Sequence, residues 1–169
     1  MLNSLATSPP DAKKKKKSPM VGMTQIAFAQ APEQLHAIVG SCIALSLYHK
    51  RLHVGGMAHI VLSCSDGRTG APGKFADTAI PYMIKELSKF GANQSGLVAK
   101  MAGGSNMFTS AGPIQIGQEN ARMVTDILNA NSIRLVGEHL GGSKGRRIIF
   151  DSQSGDFNVE INNELATVL

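Results

Sequence analysis

The sequence predicts an α/β (α+β) sandwich built on a mixed sheet, with two main helices and a β-hairpin. Segments whose apolar residues alternate with period two, typical of strands, are interleaved with two segments of helical periodicity. Of 169 residues, 43% are hydrophobic and 17% charged, a composition that suits one compact domain rather than a disordered chain. We therefore expect a disordered lysine-rich tail at residues 1–20 and a single domain at residues 21–169.

The net charge of +5 is concentrated in the tail. Residues 1–20 contain Lys13 to Lys17 and one acidic residue, Asp11, so the tail carries +4 and the remainder +1. A nearly neutral domain in which only 5% of residues are aromatic is not typical of a nucleic-acid-binding surface. Prolines and serines flank the lysines, which favours a solvated tail, although contact with phosphate or anionic lipid is the alternative.

The segment that follows the lysines does not read as a secretory signal. Thr24 and Gln25 interrupt its apolar residues, and no stretch approaches the roughly 18 apolar residues of a membrane span. These features predict a cytoplasmic location without membrane insertion. In that compartment Cys42 and Cys64 are expected to stay thiols, so either is free for catalysis.

The hairpin is predicted at residues 42–62. Alternating residues mark its first strand, and Val54 to Leu62 form the second, which is rich in Val, Ile and Met. A four-residue loop at 49–52 would pair Tyr48 with His53 and would place Cys42 opposite His59. Opposite residues share a face, with β-carbons about 4.5–5.5 Å apart, so an imidazole nitrogen would reach the thiol. A loop one residue longer or shorter would change this pairing.

The remaining elements follow in chain order. They are a surface loop at 63–73, a helix at 77–90, a strand at 96–102, a helix at 118–129, a strand at 133–140, and a closing hairpin of 148–151 with 157–161. Pro81 is compatible with the first helix only in its first turn, and Gly91 suits the end of that helix. No internal repeat is evident.

Two glycine pairs, 103–104 and 141–142, lack the spacing of Walker or Rossmann phosphate-binding motifs, and we assign them to tight turns. A further hypothesis is that they allow a partner helix to approach closely. Replacing Gly104 with valine would then impair activity without unfolding the domain.

Several short motifs together resemble those of one protein family. Gly40-Ser41-Cys42 is followed, seventeen residues after the cysteine, by His59 at the end of Gly56-Met57-Ala58-His59. The other matching segments, in the expected order, are 73–79 (GKFADTA), 103–108 (GGSNMF), 116–120 (IGQEN) and 141–146, with its Gly141-Gly142 and Gly145-Arg146. Over residues 21–160 the chain is similar to the CheD family of chemoreceptor glutamine deamidases.

The resemblance implies an enzyme that converts particular receptor glutamines to glutamate and releases ammonia. It implies Cys42 as nucleophile and His59 as the assisting histidine. It also implies an α/β sandwich similar to bacterial toxin deamidases, chemoreceptor cytoplasmic helices as substrate, and the phosphatase CheC as a second partner.

The chemistry is also sensible from the residues alone. A free thiol, with a pKa near 8.5, is only slightly ionised at neutral pH, and a neighbouring histidine can draw off its proton. Attack on the amide would leave a thioester that water hydrolyses, with backbone amides near Cys42 stabilising the oxyanion. The five histidines show no zinc-ligand spacing with the cysteines, so neither a metal nor a cofactor is expected.

The chain departs from the family pattern at one position. CheD proteins usually carry a threonine five or six residues before the cysteine, where this chain has Ala37 and His36. Ser41, Ser105 and His36 are the candidates to replace it, although His36 is better explained as a packing residue.

Three alternatives stay open. Cys42 and His59 could be a buried thiol and a hydrogen-bonded core histidine, and Cys64 is expected to be a bystander. The protein could be a non-catalytic module that keeps the CheD fold and binds chemoreceptors or CheC. Attachment to nucleic acid or membrane through the lysine run is the least favoured alternative.

Overall fold

The fold was established from a computed structural model, which describes residues 18–107 and 115–169. In chain order the elements are β1 (Ile26–Gln30), β2 (Gln34–Val39), β3 (Ile43–His49), β4 (Val54–Ile60), α1 (Ala76–Ser88), β5 (Leu97–Gly103), α2 (Ile116–Ala130), β6 (Arg134–Leu140), β7 (Arg146–Asp151), β8 (Phe157–Ile161) and β9 (Glu164–Val168). Short 3-10 turns connect several of them.

The larger sheet has the strand order β1-β4-β3-β5-β6. Its neighbours are antiparallel except for β5 and β6, which are parallel and are connected through α2. Strand β3 is central and every one of its residues is buried. The sheet is therefore mixed, and the Gly-Ser-Cys segment leads directly into its middle strand.

The smaller sheet has the order β2-β7-β8-β9 and is antiparallel throughout. It covers one face of the larger sheet, and the two helices cover the other. Ile43, Leu45 and Leu47 share an apolar cluster with α1 and α2, whereas Ala44 and Tyr48 share one with β2, β7 and β8. The alternation of β3 thus supplies both cores, as expected for a strand covered on its two faces.

The mixed α+β class with two main helices is confirmed, but the sandwich contains two separate sheets. Strands β1, β2 and β9 were not assigned from the sequence. Strand β9 is mostly exposed and lies at a sheet edge, so it lacks the alternating burial that marks a strand.

The position of Pro81 was predicted wrongly. Helix α1 begins at Ala76, which places Pro81 sixth in the helix, in its second turn. A proline there removes the N–H that would bond the carbonyl of Asp77. The side of the helix at Pro81 is exposed, so water can satisfy that carbonyl. Gly91 lies just beyond the helix with φ of 79°, the left-handed conformation that favours glycine.

The hairpin is present, but its register differs from the prediction. His49 pairs with Val54, so the four-residue loop comprises residues 50–53 and Ala44, not Cys42, lies opposite His59. The turn closes one residue later because His53 adopts a left-handed conformation, with φ of 49°, and its N–H bonds the carbonyl of Lys50. Displacing the loop by one residue shifts the pairing by two, which preserves the face of every side chain.

The paired backbone begins before residue 21. The N–H of His36 donates to the carbonyl of Pro19 at 3.1 Å, and Met20 forms a parallel bridge with His36. Most of the predicted disordered tail, including the lysine run at 13–17, lies outside the described residues. Within the described part of the chain, neither helix is long and apolar enough to cross a membrane.

Candidate active site

Cys42 lies on the three-residue crossing from the smaller sheet to the larger one, between the end of β2 and the start of β3. Two backbone bonds fix this crossing. The N–H of Gly104 donates to the carbonyl of Cys42 at 3.0 Å, and the N–H of Ser105 donates to the carbonyl of Gly40 at 2.9 Å. A β-carbon on Gly103, whose φ is 127°, would lie 2.0 Å from the carbonyl oxygen of Cys42. The first glycine pair is therefore required by the close approach to the cysteine.

The surroundings of Gly104, the second residue of that pair, differ from what the partner-helix hypothesis expects. Gly104 is buried, with φ of 63°, and a β-carbon there would lie 2.9 Å from the carbonyl oxygen of Gly117 in α2. The close neighbour is thus a helix of this chain. Gly141 and Gly142 also have positive φ, the conformation that favours glycine, and Gly103 itself ends strand β5.

His59 is held on β4 through its main chain and its side chain. Its N–H donates to the carbonyl of Gln25 and its own carbonyl accepts from the N–H of Thr24, both at 3.0 Å. The imidazole is 4% exposed, and its Nδ1 lies 3.1 Å from the carbonyl oxygen of Val21. A carbonyl can only accept, so the neutral ring carries its proton on Nδ1 and leaves the lone pair on Nε2.

Cys42 and His59 face the same layer. His59 is two residues from Met57 on β4, and Cys42 is two residues before Ala44 on the approach to β3. Met57, Ala44 and Val21 all belong to the cluster between the two sheets, and Cys42 packs against it. Ala44 is opposite His59, so a regular continuation of β3 would make Cys42 the diagonal neighbour of His59, with β-carbons about 7–8 Å apart or somewhat less.

Burial shifts the two ionisable groups in opposite directions. It raises the pKa of the Cys42 thiol, and the cysteine's own backbone N–H only partly offsets the effect. It lowers the pKa of His59, and the carbonyl of Val21 only partly opposes the effect. At neutral pH the free protein therefore holds a thiol and a neutral imidazole rather than an ion pair.

None of the three residues suggested as replacements for the missing threonine is hydrogen-bonded to Nδ1 of His59. Ser105 donates to the carbonyl of Lys144 at 2.7 Å, and the carbonyl of Ser41 accepts from Asn120. The ring of His36 is half-exposed, 3.5 Å from Nη2 of Arg147. The orienting group that the structure places at Nδ1 of His59 is the main chain of Val21.

A buried arginine braces the turns beside the cysteine. Arg146 is 3% exposed, and its guanidinium donates to Oγ of Ser105 at 3.1 Å and to the carbonyl of Gly103 at 3.3 Å. It also donates to the carbonyls of His139 and Gly141. One side chain thus joins the 103–105 turn to the 139–146 segment, which explains why both glycine motifs accompany the cysteine motif.

Cys64 lies elsewhere, on the loop after β4. Its Sγ donates to a carboxylate oxygen of Asp77 at 3.4 Å, and Ser65 donates to the same carboxylate. In the described ranges, no group of three or more His, Cys, Asp or Glu side chains is arranged to hold a metal ion.

Comparison with known proteins identifies the family. Residues 62–161, more than half of the chain, match the family model described as CheD chemotactic sensory transduction. The chain belongs to the CheD family. This match begins after Cys42 and His59, so it does not test their roles.

Several curated CheD proteins align over more of the chain. A protein of Desulforamulus reducens is 41% identical over 145 residues, which cover 82% of this chain and 87% of the relative. One of Clostridium kluyveri is 40% identical, with 82% and 90% covered, and one of Methanococcus vannielii is 35% identical, with 88% and 97% covered. All three carry the description "Probable chemoreceptor glutamine deamidase CheD". The resemblance predicted from the motifs is confirmed.

Sequence reasoning missed two groups at this site. The carbonyl of Val21 gives no signal, because every residue has one. Asn120 was noticed only as part of the IGQEN motif. It occupies a position on the inward stripe of α2, where the other buried residues are small or apolar, and that mismatch was the available signal.

Proposed function

We propose that this protein hydrolyses the side-chain amide of glutamines in chemoreceptors, with Cys42 as nucleophile and His59 as general base. The relatives' descriptions support the reaction and the substrate class. The observation that carries the residue roles is the hydrogen bond between Nδ1 of His59 and the carbonyl of Val21, because it directs the free nitrogen lone pair of a buried base.

The neutral pair defines the first step. Nε2 of His59 takes the thiol proton as sulfur attacks the amide carbon, so proton transfer accompanies attack instead of preceding it. The backbone N–H of Cys42, which already lies against its own sulfur, is the donor we assign to the developing oxyanion.

The second half of the reaction returns the proton. The imidazolium protonates the amide nitrogen, the C–N bond breaks, ammonia leaves and a thioester remains. His59 then activates a water molecule, which cleaves the C–S bond and yields glutamate and the free thiol. The balance is glutamine plus water to glutamate plus ammonia, without metal or cofactor.

The setting of the reaction follows from the substrate. The protein would act in the cytoplasm, on the cytoplasmic helices of chemoreceptors, and would bind CheC as a second partner. We also propose residues 21–169 as a single catalytic domain whose sandwich is similar to that of bacterial toxin deamidases.

The test is incubation of a chemoreceptor cytoplasmic fragment with wild type, Cys42→Ala, His59→Gln and Cys64→Ser proteins. Ammonia release and a gain of about 1 Da at glutamine, as the acid replaces the amide, are measured. We expect activity in wild type and Cys64→Ser alone, because Cys64 lies on the separate loop after β4, where its Sγ contacts Asp77 of α1.

The non-catalytic alternative gives a different pattern. A binding module would retain the receptor in a pull-down with all four proteins and would release no ammonia. The missing threonine motivated that alternative, and the carbonyl of Val21 weakens it by supplying the orienting contact.

A further inference from the structure

Helix α2 sends one polar side chain into the apolar interior beneath the candidate active site. The residues it buries are Gly117, Asn120, Ala121, Val124 and Leu128, the spacing of an inward stripe. Asn120 is 1% exposed. Burying an amide is unfavourable unless it is hydrogen-bonded, so the bonds of Asn120 indicate why an asparagine occupies this position.

Those bonds go to the two segments that carry the candidate catalytic pair. Nδ2 of Asn120 donates to the carbonyl of Val61 at 2.9 Å and makes a longer bond to the carbonyl of Ser41 at 3.4 Å. Ser41 immediately precedes Cys42, and Val61 comes two residues after His59. Two carbonyl acceptors also fix the amide orientation, because only its nitrogen can donate to both.

The strands diverge where Asn120 bonds them. The β3–β4 register ends at Ile43 and Ile60, so Cys42 lies beyond the paired region. After Ile60 the chain turns away, and the N–H groups of Val61 and Leu62 both donate to the carbonyl of Lys74. The amide of Asn120 therefore joins the two backbones just past the point where their own pairing stops.

We propose that Asn120 is a positioning residue, a clamp that keeps Cys42 in reach of His59. This inference rests on the proposed catalytic pair, but it concerns the distance between the two side chains and can be tested without substrate. The position of Asn120 is fixed because the first turn of α2 packs closely against Gly104 at Gly117.

The test compares Asn120→Asp with Asn131→Ala, in a Cys64→Ser background that leaves one thiol. Asp keeps the size of the side chain but replaces the shared donor with a group that repels both carbonyls. Asn131 is a matched control, because its Nδ2 donates to a backbone carbonyl, that of Ile127, at 2.9 Å near the other end of the same helix. Asn120→Ala removes the donor without adding charge and serves if the Asp variant does not fold.

The first readout is the rate of Cys42 alkylation by iodoacetamide at pH 7, with and without His59→Gln. If Asn120 acts through the pair, its replacement slows alkylation several-fold when His59 is present and has no effect when His59 is absent. Equal slowing in both backgrounds, or an effect no larger than that of Asn131→Ala, would overturn the proposal.

The second readout is deamidation kinetics. We expect kcat to fall by about 10²-fold, the effect of a displacement near 1 Å, with little change in KM. A rise in KM alone would contradict the clamp. If wild type releases no ammonia while the His59-dependent alkylation effect persists, the proposed function fails and the clamp stands.

Discussion

Replacing Gly117 with alanine tests how closely the crossing at residues 40–42, which carries Cys42, depends on α2. A β-carbon at this position would lie 2.5 Å from both the carbonyl carbon and the carbonyl oxygen of Gly104. Ordinary van der Waals contact begins at 3.4 Å, so the helix and the turn must separate by about 0.9 Å. The N–H of Gly104 holds the carbonyl of Cys42, and this movement displaces that bond.

The expected magnitude follows from three effects. Overpacking costs about 1–3 kcal/mol, and a weakened backbone bond about 1 kcal/mol. Alanine in place of glycine returns up to about 1 kcal/mol through helix propensity. The net loss in the free energy of unfolding is therefore about 1–4 kcal/mol. A displacement of about 0.9 Å at Cys42 is expected to lower kcat by about 10²-fold.

The matched control is Gly145→Ala, on a loop of the same region. Its β-carbon would meet only the carbonyl oxygen of Val39, at 3.5 Å, so stability is expected to change by less than about 1 kcal/mol. Urea unfolding followed by far-UV circular dichroism is suitable because the chain has no tryptophan. Equal stability and equal Cys42 alkylation rates in the Gly117 and Gly145 variants would refute the reasoning.

Two further predictions concern the proposed catalytic pair and the carbonyl that orients His59. The plateau of kcat/KM against pH should extend below about 6.5 on the acid side, because burial lowers the pKa at which His59 gains a proton. It should extend above about 8.5 on the basic side, because burial raises the pKa at which Cys42 loses its proton. An acid limb above 6.5, or one that persists in His59→Gln, would contradict this. Deleting residues 1–17 should leave kcat unchanged, whereas deleting 1–22 removes the carbonyl of Val21 and should lower kcat by about 10²-fold. Val21→Ala, which keeps the carbonyl, should retain the rate per folded molecule, and a loss equal to that of the longer deletion would count against the orienting role.

The lowered pKa of His59 also sets a direction for stability. Between the native pKa and about 6.5 the unfolded chain binds more protons than the folded one, so stability falls as pH falls through that window. His59→Gln should flatten this part of a stability curve measured by urea unfolding. An unchanged slope would mean that other groups govern it.

Sequence reasoning placed the proposed catalytic pair, Cys42 and His59, on one face of the hairpin, and an error in the predicted register did not change that face. The predicted loop was displaced by one residue, yet its length was right, so the pairing moved by two and the faces were kept. Had the loop contained three or five residues, the prediction would have failed. The identities of Cys42 and His59 came from motifs, and their positions from strand periodicity.

Strands β1 and β9 and the hydrogen bond from His59 to Val21 could not be predicted from the sequence, because no pattern of side chains marks them. Strand β1 combines half-buried positions with one buried residue, and β9 is exposed at a sheet edge, so neither alternates clearly. The bond from His59 to Val21 joins positions 38 residues apart through a main-chain oxygen. Only the tertiary arrangement brings that oxygen to the ring.

The hydrogen bond to the carbonyl of Val21 has a consequence for how the sequence of the proposed site can vary in evolution. In the proposed mechanism the group that orients His59 belongs to the backbone, so it is encoded by the path of the chain, and substitutions at codon 21 do not delete it. Searches that require a threonine, aspartate or asparagine in a fixed position would overlook proteins of this kind. Conversely, a designer who transplants only Cys42 and His59 onto another scaffold must also transplant a strand end that delivers an oxygen to the imidazole.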